Sequence, residues 1–139
     1  MVNNALISIR GIQETDDSEG NVIELVTEGT FKTTPSGCSF TYDESSLTGL
    51  EGTTTTFDIE GGIVTMTRTG QVNSQMIFEK GRKHFSLYET PFGALTIGIA
   101  SSHIDYSFNE RGGDISIDYD VEIDHALKGS NSFRINIKC

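Results

Sequence analysis

The sequence predicts an all-β fold, a single antiparallel up-and-down β-barrel of eight to ten strands. Turn residues recur about every ten positions, the segments between them alternate apolar with polar side chains, and no window has a helical period. Connections of roughly one to four residues favour antiparallel neighbours in chain order. Closing the sheet removes the unpaired edges that invite aggregation. A two-sheet sandwich is the alternative, although no long Greek-key crossover stands out.

Each element follows from this alternation. Ala5 to Glu14 opens the sheet, with Ile7, Ile9 and Gly11 on one face and Leu6, Ser8, Arg10 and Ile12 on the other. An acidic turn over Asp16 to Gly20 leads into Asn21 to Thr33, where Ile23, Leu25 and Phe31 face away from Glu24, Glu28 and Lys32. Pro35-Ser36-Gly37 turns the chain into Cys38 to Glu44, which sets Phe40 and Tyr42 opposite Ser39, Thr41 and Asp43. Ser45 to Gly52 reads as loop. Thr53 to Glu60 and Ile63 to Thr69 flank Gly61-Gly62, a pair suited to a two-residue hairpin whose central positions both need positive φ.

Val72 to Lys80, Arg82 to Thr90 and Leu95 to Ala100 follow, separated by Gly81 and by Pro91-Phe92-Gly93. His103 to Asn109 precedes a Gly112-Gly113 turn. Asp114 to Asp124 is the clearest strand, with Ile115, Ile117, Tyr119, Val121 and Ile123 on one face and a row of acids on the other. Ser132 to Lys138 closes the chain, and its Arg134 and Lys138 are placed to meet those acids if the two strands pair.

At 139 residues the chain reads as one domain spanning 1–139, large enough to bury its own core. Twenty acidic against 10 basic residues give a formal charge of -10, which argues against nucleic acid and anionic membranes as partners. The first residues carry neither a basic leader nor a long apolar run, and a soluble cytoplasmic protein is expected. Cys38 and Cys139 are too few for a disulfide framework and read as free thiols.

A family resemblance rests on Arg68-Thr-Gly70, Met76-Ile-Phe78, Gly81 and Tyr88-Glu-Thr90-Pro91-Phe92-Gly93. It continues into Ile115-Ser-Ile117-Asp-Tyr119 and Phe133-Arg-Ile135-Asn-Ile137. On these residues the chain resembles the YwiB-like family of small bacterial β-barrel proteins of unknown function. The resemblance implies a calycin-like, lipocalin-type barrel in a bacterial cytoplasm. It supplies no activity, and no catalytic residue is carried over from it.

The residues themselves point to binding rather than catalysis. The acidic row projects from a straight strand, its carboxylates about 7 Å apart at each second residue, and cannot wrap a cation as a bent calcium loop does. His84, His103 and His125 have no metal-like spacing, so no metal or cofactor is expected, and only His84 is placed inside a strand. Nucleophile-elbow and phosphate-loop motifs are missing, and no enzyme activity is expected.

The candidate ligand site combines Arg68, His84, Ser86, Tyr88, Phe40, Tyr42 and Met66. His84, Ser86 and Tyr88 share a face that points either to solvent, with Phe85 and Leu87 filling the barrel, or inward; the first arrangement is the simpler. Arg68 shares a face with Val64 and Met66, and either holds the carboxylate or phosphate end of a ligand or closes the barrel against Glu60 or Glu79. The leading expectation is a non-enzymatic barrel that holds a small, partly apolar ligand in a cavity lined by residues such as Phe40, Tyr42, Phe57, Met66, Phe78 and Ile97. The alternative is a solid-core barrel acting as an interaction or structural module through its acidic face or an open edge. A homodimer is left open.

Overall fold

A computed structural model describes residues 3–15, 18–45 and 50–139. They form ten strands: β1 (Asn3–Thr15), β2 (Ser18–Thr33), β3 (Gly37–Asp43), β4 (Thr53–Glu60), β5 (Ile63–Gly70), β6 (Asn73–Glu79), β7 (Lys83–Thr90), β8 (Gly93–Asn109), β9 (Gly112–Ile123) and β10 (Ala126–Lys138). Every strand pairs antiparallel with its sequence neighbour, and β1 pairs with β10, so the sheet is a closed up-and-down barrel. The tip of the acidic turn, Asp16 and Asp17, and residues 46–49 of the Ser45–Gly52 loop lie outside the described residues. No helix among the described residues is long and apolar enough to cross a membrane.

Local chemistry explains the joints. Gly61 and Gly62 have φ of 60° and 81°, the two left-handed positions required by the β4–β5 hairpin. The β9–β10 turn uses Asp124 and His125 at φ of 50° and 69°, so β9 ends before Asp124, one residue short of the expected limit. Leu95–Ala100 and His103–Asn109 belong to one strand, joined through a register shift between Ser101 and His103. His103 therefore lies within β8, where a bulge adds a residue without ending the strand. Gly112 and Gly113 open β9 rather than forming the turn. Gly37 allows β3 to approach β4 closely, since a Cβ there would lie 1.6 Å from the Ile59 carbonyl oxygen.

The apolar face of β9 is inward, as its alternation requires, with Ile115, Ile117 and Tyr119 buried. Its acidic face pairs with β10: Arg134 bonds Asp118 at 3.0 Å, and Ser132, Ser130 and Asn136 donate to Asp118, Asp120 and Asp114 at 2.8, 2.7 and 2.8 Å. Exposed pairs of this kind contribute a few tenths of a kcal/mol each.

The interior is filled at one end only. Where the β2–β3, β4–β5 and β8–β9 turns gather, Phe31, Phe40, Phe57 and Phe78 are buried among Ile7, Ile59, Val64 and Ile117. Phe40 stacks on Phe57 at 4.8 Å, and Phe57 and Phe78 each meet Phe133 edge-on at 6.3 Å. This aromatic group is the floor on which the hollow half rests.

Candidate functional site: a half-lined polar cavity

Toward the opposite end, where β1, β3, β5, β7 and β9 finish, the barrel encloses a cavity of about 440 Å³. One wall is apolar, built from Ile9, Leu25, Ile97, Val121 and Phe133, while Ile23 and Leu95, both about two-fifths exposed, stand at the mouth.

On the other side a single lateral row of side chains crosses five strands, and Tyr42, Arg68 and Tyr88 of that row line the cavity. Cross-strand partners run Tyr42 to Thr55, Thr55 to Arg68, Arg68 to Ser74 and Ser74 to Tyr88. Directly opposed residues share a face, so one inward Tyr42 fixes the others inward. Tyr42, Thr55 and Ser74 are 5%, 0% and 8% exposed. The row places one guanidinium among four hydroxyls.

Electrostatics divides the row in two. The buried Glu44 carboxylate lines the cavity and accepts a hydrogen bond from Thr55 Oγ1 at 3.0 Å. It also holds the Tyr42 hydroxyl, whose pKa rises well above the tyrosine range, first through burial and then through the neighbouring negative charge, with Arg68 acting in the opposite direction. Burial likewise raises Tyr119 against the pull of Arg68. Both phenols remain neutral donors. Arg68 Nε and the adjacent Ser74 Oγ, by contrast, are buried and have no hydrogen-bond partner among the described residues.

The expected site residues separate accordingly. Tyr42, Met66, Arg68 and Tyr88 line the cavity together. Phe40 is below it in the packed half, as are Phe57 and Phe78, and only Tyr42, Met66 and Ile97 of the six expected lining residues reach it. His84 and Ser86 share the inward phase of Tyr88 but do not line the cavity, and His84 Nε2 lies 3.0 Å from Glu79 Oε1. Glu79 also meets Arg82, so neither Glu79 nor Glu60 is the partner of Arg68; Glu60 accepts from Ser36.

The simpler orientation of β7 is overturned. Phe85 and Leu87 are 53% and 51% exposed, whereas His84, Ser86 and Tyr88 are half-buried. The cause is register with β8, which pairs His84 and Ser86 with the inward Ile99 and Ile97, and Phe85 with Gly98. Phe85 covers that glycine from outside, beside His125 and beneath the Lys83 ammonium at 5.3 Å from the ring centroid. Lys83 in turn pairs with Glu122.

Thr55 and Ser74, outside the expected site residues, are buried on either side of Arg68 without lining the cavity, and strand alternation carries the signal for their inward placement. Thr55 is in phase with Phe57 and Ile59, and Ser74 with Met76 and Phe78. Glu44, just beyond β3, carries no such signal. No group of three or more potential metal-ligating side chains converges among the described residues.

A closed ten-stranded meander, packed at one end and hollow at the other, defines a lipocalin/calycin-like barrel. The chain belongs to the family described as a domain of unknown function, DUF1934, whose match spans residues 7–135. Its fold is also that of the crystal structure of ywiB protein from Bacillus subtilis, with a TM-score of 0.86 and 24% identity over 99% of this chain and 92% of that one. No curated protein matches the sequence.

Proposed function

We propose that this protein is a non-catalytic binding barrel of the bacterial cytoplasm, which takes a small, partly apolar molecule into the cavity. The reading rests on one observation: a cavity of about 440 Å³ with one apolar wall and a few convergent polar groups. Small-molecule sites are commonly about 300–1,000 Å³ and are composed in this way. Binding is favoured over catalysis because Tyr42 is tied to Glu44 with its proton held firmly, and His84 is engaged by Glu79 away from the cavity lining. The free thiols of Cys38 and Cys139 suit a reducing compartment.

Native mass spectrometry of freshly purified protein tests this reading. A discrete added mass that leaves on unfolding is expected. A bare mass at every charge state, with no uptake of any amphipathic probe, would overturn it. The alternative, a barrel acting through its surface, draws on Phe85 and Leu87 on the outer face of β7. A dimer in sedimentation analysis that dissociates on Leu87→Ser substitution would favour that alternative.

A further inference from the structure

We propose that the molecule held in the cavity carries one carboxylate, bound by the Arg68 guanidinium, on an apolar body. This rests on the binding reading above and specifies its ligand class.

Arginine presents N–H donors in a rigid fork, has no acceptor, and retains its charge at any physiological pH. A buried donor of this kind requires an acceptor, and the protein supplies none to Nε among its described residues. Among the described residues three buried side-chain polar atoms are unpartnered, and two of them, Arg68 Nε and Ser74 Oγ, belong to residues directly opposed on β5 and β6, of which Arg68 lines the cavity. Ser74 is 8% exposed, so the second group is also shielded from solvent. A carboxylate has two acceptor oxygens, enough to take hydrogen bonds from the fork and from a neighbouring hydroxyl. Glu44, the carboxylate of the described cavity lining, holds Thr55 and Tyr42 and leaves Arg68 Nε without a bond.

Charge sets the number of carboxylates. Glu44 and Arg68 are the two charged side chains of the described cavity lining. A monoanion leaves the pocket with one net negative charge, whereas a phosphate dianion or dicarboxylate adds a second beside Glu44, which burial penalises. Tyr42 and Tyr88 line the cavity in the same row, each two positions from Arg68. The opposite wall, with Leu25, Ile97, Ile123 and Phe133, receives the body of the ligand. The cavity holds roughly fifteen water-sized groups at about 30 Å³ each, which suits an acid of about ten carbons.

Titration calorimetry with decanoate, decanol and decylamine tests the assignment on the full chain and on Arg68→Met, with circular dichroism as a check of folding. Decanoate is expected to bind at least tenfold more tightly than decanol, with decylamine weakest, and Arg68→Met to abolish the difference between acid and alcohol. Equal binding of acid and alcohol to the parent protein, tightest binding of decylamine, or a preference that survives in Arg68→Met would overturn the carboxylate assignment and leave the binding reading standing. No uptake of any probe would overturn both. If Arg68→Met does not fold, the comparison in the parent protein still decides, and Arg68→Lys, which keeps the charge without the fork, is expected to lose most of the preference.

Discussion

Arg68 and Ser74 face each other across the β5–β6 ladder inside the barrel, and Arg68 Nε and Ser74 Oγ are each buried without a hydrogen-bond partner among the described residues. Native interiors tolerate few such groups, because each loses its hydration without a return. Two on directly opposed positions, one of them lining the cavity, mark a place where stability has been given up locally.

That relationship makes a stability prediction. Replacing Arg68 by Met removes the buried, unpartnered Nε of a half-buried side chain and keeps much of its volume. The ligand-free protein is expected to gain about 1–3 kcal/mol, or several degrees in Tm. Thermal unfolding of delipidated protein measures this, and a fall in Tm would assign Arg68 a structural role.

The packed and hollow ends should respond differently to truncation. Phe57 is fully buried between Phe40 and Phe133, and Phe57→Ala is expected to cost about 3–5 kcal/mol in urea unfolding. Leu95 at the mouth is 39% exposed, and Leu95→Ala should cost about 1 kcal/mol or less. Similar losses at both sites would mean that the cavity collapses around a packed interior.

Acid should weaken the β9–β10 ladder through Asp118. Burial alone would raise this carboxyl, but hydrogen bonds from Ser132 and Arg134 and the Arg134 charge outweigh it and hold the folded pKa below the ordinary value of 3.8. A depressed folded pKa gives stability that is fully present above the unfolded value and is lost as pH falls through the folded one. The advantage of the parent protein over Asp118→Asn is therefore constant at neutral pH and shrinks below about pH 4. Because the pair is partly exposed, its size is a few tenths of a kcal/mol. Unfolding curves for the two proteins between pH 7 and pH 3 provide the comparison.

The two thiols should separate by reactivity. Burial first, and then the charge of Asp58, pushes Cys38 from 9.0 up to about 11, whereas Cys139 is exposed. At pH 8 an aromatic disulfide reagent is expected to label one thiol rapidly and the second only on unfolding. A raised folded pKa contributes stability that is present below 9.0 and lost as pH rises toward about 11. Rapid labelling of both thiols in folded protein would contradict this burial.

The sequence by itself determined the class of fold, because strand alternation and turn chemistry are local. Ile115, Ile117, Tyr119, Val121 and Ile123 cannot avoid sharing a face, and Gly61-Gly62 supplies the φ values that a two-residue hairpin needs. Short connections then left few topologies besides a closed meander. Alternation fixes which residues share a face, but where both faces carry usable side chains it does not say which one turns inward. Only pairing with β8 decided that for β7, placing Phe85 over Gly98 outside and Ser86 beside Ile97 inside. The site depended on the same long-range register. Tyr42, Arg68 and Ser74 are 26 and 6 residues apart in sequence, and ladders β3 to β6 bring them into a single row. The hollow end likewise belongs to the tertiary structure, because a void is set by how side chains from all ten strands meet, which no local pattern encodes.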